Sequence, residues 1–304
     1  VKKILVGVLM LTFVVACNNT QHATEMPSPT PIPEPSSVPS PTLAPVEMIA
    51  DIAYVEDGDY YQKLDVYRPE GSETALPTLV AIHGGGEHRD SLEDLARFFA
   101  ARGYAVVSID HRAYPQSVYP DQVEDVFCAL AWVHVNADSY DFDVDRVSAL
   151  GHSSGGTLAA MYGVVDDPIQ FLRGCDHQLP ESDWVRAIVP FTGIFDYATA
   201  AAESDGLRNY AETYLGGDQQ QAPDVWAEAS AVTWVDGSEP PFLLIHGGDD
   251  TNILPTQSEE FAAALEEAGV EVELVIVPGA THGVIMRSEE VFEIVVTFLE
   301  RVMD

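Results

Sequence analysis

Two adjacent serines, Ser153 and Ser154, lie between glycines in the stretch GHSSGG, residues 151–156. A strand-like run, RVSAL, leads in, and a helix-like run, TLAAMYGVV, leads out. A sharp turn from strand to helix can present a serine hydroxyl as a nucleophile, and that turn needs small residues two before and two after the serine. Centred on Ser153, those positions are Gly151 and Gly155; centred on Ser154, they are His152 and Gly156. Histidine would crowd the turn, so Ser153 is the candidate. The Ser154 backbone N–H, at the helix start, is then placed to receive negative charge. A serine needs a base, and the base an orienting carboxylate. FLLIHGGDD (242–250) runs from strand to loop and offers Asp249 and Asp250; VIVPGATHG (275–283) does the same and offers His282. Upstream, TLVAIHGGG (78–86) ends a strand in glycines, where the backbone can approach a substrate and aim N–H groups at a developing oxyanion. Gly84 and Gly85 are assigned to that role. The combined chemistry is acyl transfer through serine.

The elements that must position these groups alternate along the chain. Runs at 61–67, 78–82, 104–110, 147–150, 187–191, 242–245 and 272–277 read as strands. Segments 91–102, 122–136, 156–164, 257–268 and 289–302 carry apolar residues at helical spacing. Such alternation predicts an α/β fold, a mainly parallel sheet with helices on both faces, whose ligands bind at the carboxyl edge of the strands. The stretch 165–235 is less regular and is expected to form a small insertion or cap over that edge. No internal repeat or second domain is visible.

With these motifs in place, residues 50–304 resemble the HGGG-type esterases of the α/β-hydrolase fold. The likeness is to carboxylesterases of the acetyl-xylan and feruloyl esterase-like group, and next to the hormone-sensitive-lipase-like group. QKLDVYRP (62–69), ARGYAVVSIDHRAYP (101–115) and YPDQVEDVFCALAWV (119–133) extend it beyond the catalytic motifs. The pattern H-G-x-x-D selects Asp250 over Asp249, and the chain order Ser153, Asp250, His282 is that of the fold. Three departures stand out. Glu87 replaces the aromatic that often follows HGGG, His111 replaces the tyrosine of a Y-R signature, and Ser154 replaces alanine after the nucleophile. The resemblance implies a serine carboxylic-ester hydrolase acting on small or polysaccharide-linked esters, with no cofactor and no metal. Alternatives are an amidase or peptidase on the same fold, or a surface binding module without turnover.

The remaining residues bound the partners. The 304-residue chain carries 14 basic against 49 acidic residues, a formal net charge of −35, which repels nucleic-acid phosphates and anionic lipid surfaces. Its start, VKKILVGVLMLTFVVAC, has two lysines, an apolar run too short to span a bilayer, and Cys17 where a bacterial lipobox places it. Residues 1–16 are therefore expected to be a lipoprotein signal peptide. Residues 17–49 would be a lipidated Cys17 with a proline-rich spacer. The remainder, 50–304, would be a catalytic domain, exported and anchored to the cell envelope outside the cytoplasm. Cys128 and Cys175 have the compartment for a disulfide, but sequence leaves their pairing open. His83 and His246 precede glycines at strand ends and are expected to support loops. His83, His88 and His111 lack ligand spacing for a metal. Glu124 and Asp125 are expected to anchor a loop or helix.

Overall fold

The computed structural model describes residues 43–303. Eight strands form one sheet: β1 (Val46–Ala53), β2 (Lys63–Pro69), β3 (Leu76–Ile82), β4 (Ala105–Ile109), β5 (Phe142–His152), β6 (Ala187–Phe191), β7 (Phe242–Gly247) and β8 (Val272–Val277). Their order across the sheet is β1-β2-β4-β3-β5-β6-β7-β8. β3 to β8 pair in parallel, whereas β1 and β2 form an antiparallel edge, β2 also running antiparallel to β4.

The central strands read as continuous apolar runs because both faces are covered, and successive residues point to opposite sides. Val80 and Ile82 pack into one layer with Val126, Phe127, Leu158 and Phe261. Leu79 and Ala81 pack into the other with Phe99, Phe292, Val295 and Leu299. The same alternation splits Ala149 from Leu150 and Leu244 from Leu243 and Ile245. The helices in chain order are α1 (Glu93–Ala100), α2 (Asp121–Val135), α3 (Ala137–Tyr140), α4 (Ser154–Val164), α5 (Tyr197–Glu203), α6 (Asp205–Tyr214), α7 (Pro223–Ala229), α8 (Thr256–Ala268) and α9 (Glu289–Met303). α2, α4 and α8 supply the first layer; α1 and α9 supply the second.

Two boundaries differ from expectation. The spacer does not continue to 49, because Val46–Ala53 is an edge strand paired with β2. Its approach is already fixed by Ala44 N–H donating to Ala101 O at 3.0 Å and by Pro45 O accepting from Glu70 N–H at 2.8 Å. The irregular stretch 165–235 is not one insertion, because β6 within it is an inner strand of the sheet. The cap is the part after β6, where α5, α6 and α7 share a cluster around Tyr197, Tyr214 and Trp226. Cys128 on α2 and Cys175 form a disulfide with Cα atoms 5.5 Å apart, tying the 165–186 loop to the first layer. Cys17 and the expected signal peptide lie outside the described residues.

Candidate active site

All the parallel strands end at one edge, and the loops leaving β3, β5, β7 and β8 converge there. The turn after β5 is as sharp as its sequence demands. Ser153 has φ 57° and ψ −121°, a conformation costly for a residue with a side chain, and its N–H donates to Phe191 O at 2.9 Å. The flanking glycines are steric necessities. A Cβ on Gly151 would lie 2.1 Å from Gly155 O, and one on Gly155 would lie 2.2 Å from Ile82 O and 2.4 Å from His83 O. α4 therefore starts in direct contact with the end of β3, which sets Ser153 beside the glycine loop.

Ser153 Oγ donates to His282 Nε2 at 2.9 Å, and His282 Nδ1–H donates to Asp250 Oδ2 at 2.6 Å. The second oxygen of Asp250 accepts the N–H groups of Asn252 at 2.8 Å and Ile253 at 3.2 Å. Burial alone would raise the pKa of this carboxyl. Hydrogen bonds from His246, His282 and the Asn252 N–H outweigh it and hold the group well below the usual carboxylate range. Asp250 is thus a buried, ionised acceptor that fixes the imidazole with its proton on Nδ1, leaving Nε2 free to accept from serine. Asp249 is exposed, with its backbone N–H on Ala280 O, and is not paired with His282. The geometry brings together Ser153, His282 and Asp250.

The oxyanion residues require a correction. The Gly84 N–H does not face the nucleophile: it donates to the Glu87 carboxylate at 2.9 Å, while Gly84 O accepts from Glu87 N–H at 3.2 Å. The loop is closed into a turn by Glu87, the residue that departs from the family's aromatic, so the Gly84 N–H is already occupied, and Gly85 and Ser154 remain of the expected donors. Gly85 lies against Ser154, where a Cβ would stand 3.6 Å from Ser154 Oγ, and both line the cavity over Ser153. No described residue accepts from the Gly85 N–H. The Ser154 N–H is the first of α4, among the four that a helix leaves without an internal acceptor.

Several supporting groups were invisible to spacing. His152, just before the nucleophile, donates Nε2–H to His282 O at 2.8 Å, with the two rings 4.9 Å apart. Burial holds its pKa below the ordinary value, so a neutral ring ties the histidine loop to the elbow. His246 supports the acid loop as expected, donating to Ile253 O at 3.0 Å and accepting from Ser258 Oγ at 2.7 Å. His83 stacks on His111 with centroids 4.3 Å apart beneath the glycine loop. Burial, with His83 alongside, pushes His111 down to about 3, so it is neutral. Asp125 anchors the loop after β4 by accepting from Arg112 N–H at 2.7 Å and from its guanidinium at 2.9 Å. Among the described residues no cluster of three or more His, Cys, Asp or Glu side chains is arranged to hold a metal ion.

Two cavities flank this centre. One, about 260 Å³, is lined by Ser153, His282, Asn252, Ile253 and Leu207. The other, about 340 Å³, opens beyond Gly85 and Ser154 and is walled by tyrosines.

A BD-FAE family model matches residues 64–265, a span that begins in β2 and takes in the glycine loop, the nucleophile turn and Asp250. The chain belongs to the BD-FAE family. Among curated relatives, Esterase LipC of Mycobacterium tuberculosis is 31 % identical over 230 residues, covering 72 % of this chain and 56 % of the relative. The chain thus spans about half the length of these curated relatives. A solved bifunctional GH43-CE of Bacteroides eggerthii superposes with a TM-score of 0.74 at 26 % identity, over 84 % of this chain and 35 % of the other. A truncated carbohydrate esterase from gut microbiota gives a TM-score of 0.73 at 24 % identity, over 86 % and 97 %. These likenesses establish the α/β-hydrolase fold expected from the sequence.

Proposed function

We propose that this chain is a serine carboxylic-ester hydrolase that works through an acyl-enzyme on small or polysaccharide-linked esters. The observation that carries the reading is the hydrogen-bonded series Ser153, His282, Asp250 at 2.9 and 2.6 Å on the floor of a cavity. Ser153 Oγ attacks the ester carbonyl carbon as its proton passes to His282 Nε2. Asp250 stabilises the resulting imidazolium. The Gly85 and Ser154 N–H groups face the oxygen that becomes negative. His282 then gives the proton to the leaving alcohol, and the acyl group stays on Ser153. A water deprotonated by His282 attacks the acyl-enzyme, and collapse returns the proton to Ser153 and releases the acid. The esterase activity named for the 31 % identical relative supports this choice; the polysaccharide-linked option rests on the sequence resemblance. The test is hydrolysis of p-nitrophenyl esters from acetate to decanoate beside Ser153→Ala. Short-chain turnover that vanishes in the variant is expected, and no turnover on any ester by folded enzyme overturns the reading.

For the N-terminus we propose cleavage before Cys17, lipidation of that cysteine, and display of the domain outside the cytoplasm. The lysine-led apolar run ending in VVAC supports this, and so does the Cys128–Cys175 disulfide, since oxidising compartments preserve such bonds. Expression in a bacterial host with radiolabelled palmitate tests it: label and membrane association that are both lost in Cys17→Ser are expected, and an unlabelled, wholly soluble wild type refutes it.

A further inference from the structure

Three consecutive glycines, Gly84 to Gly86, precede Glu87, and a glycine run has no strong conformational preference of its own. Yet the Gly85 N–H stabilises an oxyanion well only if it is already aimed when the charge develops. Two peptide units decide that aim. The first joins His83 to Gly84, and its N–H donates to Glu87 Oε2 at 2.9 Å, a charge-assisted bond. The second joins Gly84 to Gly85, and its carbonyl accepts from the Glu87 N–H at 3.2 Å and from His83 Nδ1–H at 2.8 Å. This unit is trans, so it is planar with its C=O and N–H pointing in opposite directions. Holding Gly84 O on the turn side therefore holds the Gly85 N–H pointing out of the turn. Gly85 lines the cavity over Ser153.

The Glu87 carboxylate sits where three parts of the site meet. Gly84 is boxed in: a Cβ there would lie 3.1 Å from Glu87 Oε2, 3.2 Å from His152 Nδ1 and 3.3 Å from His152 O. Glu87 thus clasps the glycine loop where it abuts His152, and His152 in turn holds the His282 loop through His282 O at 2.8 Å. Glu87 lines neither of the two cavities that flank Ser153. Its role is therefore exerted through Gly84 and not by contact with the ester. An aromatic side chain at this position has no acceptor for the Gly84 N–H, so the clasp belongs to the glutamate.

We propose that Glu87 is a positioning residue for ester hydrolysis: its carboxylate clasps Gly84 so that the Gly85 N–H is set in its oxyanion-binding direction before substrate arrives. The assignment rests on the ester-hydrolase reading above and deepens it. Such a residue acts on the transition state and leaves ground-state binding alone, so its loss should fall on kcat and spare KM.

The experiment compares wild type with Glu87→Ala, Glu87→Leu and Glu87→Gln, reading p-nitrophenyl acetate hydrolysis and inhibition by butyl trifluoromethyl ketone. In the inhibited adduct Ser153 Oγ bonds to the ketone carbon, the serine proton passes to His282, and the carbonyl π pair settles on the oxygen. No leaving group is present, so the adduct stops as an oxyanion and its Ki reports the donors directly. In Glu87→Ala, and independently in Glu87→Leu, kcat is expected to fall and Ki to rise by about tenfold to a hundredfold, with KM within about twofold. The effect is smaller than the roughly hundred- to thousandfold cost of deleting an oxyanion donor, because the Gly85 N–H is loosened and not removed. Glu87→Gln keeps an acceptor for the Gly84 N–H and should stay within about threefold of wild type in both readings. Because Ki does not depend on the folded fraction, a variant that merely folds poorly leaves it unchanged. Unchanged Ki in both Glu87→Ala and Glu87→Leu overturns the assignment. So does a loss carried by KM, or a Glu87→Gln variant no better than Glu87→Ala. Failure of folded wild type to hydrolyse p-nitrophenyl acetate would instead remove the ester-hydrolase reading beneath it.

Discussion

Replacing Asp250 by asparagine is nearly isosteric, and the site predicts a large catalytic loss. One oxygen of Asp250 accepts from His282 Nδ1 at 2.6 Å; the other accepts the Asn252 and Ile253 N–H groups at 2.8 and 3.2 Å. An asparagine amide has one acceptor end and one donor end. With its NH₂ towards the two backbone donors, it faces them with hydrogens and the acid loop is strained. With its NH₂ towards His282, the imidazole must accept at Nδ1 and carry its proton on Nε2, so it no longer accepts from Ser153. In either case the imidazolium formed during attack loses its counter-charge. At a separation of about 4 Å and an effective dielectric near 20, that attraction is about 4 kcal/mol, roughly a thousandfold in rate; loss of the productive tautomer takes the total towards ten-thousandfold. Steady-state hydrolysis of p-nitrophenyl acetate is the assay. Asp250→Asn should lower kcat by a thousand- to ten-thousandfold with KM within about threefold, while Asp249→Asn stays within about twofold. More than a tenth of the activity left in Asp250→Asn, or an equal loss in Asp249→Asn, would falsify the reasoning.

Other outcomes follow from the same contacts. Asp250 has a depressed pKa in the folded state, so the stability it contributes is present above the unfolded value of about 3.9 and lost as pH falls towards the folded value. Denaturant titrations should show the stability gap between wild type and Asp250→Asn shrinking as pH drops from 7 to below about 4; a constant gap contradicts this. Gly155→Ala, with its Cβ driven into the carbonyls at the end of β3, should destabilise by about 3 kcal/mol in urea. Gly85→Ala meets nothing nearer than 3.6 Å, so its stability should stay within about 1 kcal/mol of wild type. Removing the disulfide by Cys128→Ser with Cys175→Ser opens a loop of sequence separation 47, for which chain entropy gives a loss of up to about 4 kcal/mol. Ester hydrolysis at 25 °C should change less than twofold, because neither cysteine lines the cavities at Ser153.

The nucleophile turn was legible because its sterics are local. Glycines two residues either side of Ser153 are forced by backbone atoms within the turn and by the neighbouring strand end, and strand-ending loops carried the acid and base in order. The oxyanion position was legible only to within one residue. Three consecutive glycines are equally permissive, and the choice is made by the Glu87 carboxylate folding back onto Gly84. β1 was missed because its burial is slight: four consecutive residues, Met48 to Asp51, are exposed, with Met48 at 44 % and Ile49 at 39 %, so this antiparallel edge lacks an apolar signature. The tyrosine chamber had no sequence signal at all. Tyr114, Tyr197, Tyr210 and Tyr214 come from a loop and two helices and meet only in the fold. His152 is similar: its contact with His282 O spans 130 positions of sequence.

The central claim is that Ser153, and not its neighbour Ser154, forms the covalent intermediate. It is tested most directly by labelling the folded enzyme with a p-nitrophenyl alkylphosphonate and reading the modified residue by peptide mass spectrometry. The account predicts one phosphonyl group per chain on Ser153, released p-nitrophenol in equal amount, parallel loss of esterase activity, and no label in Ser153→Ala. Label on Ser154, or an active enzyme that takes no label at all, would contradict it.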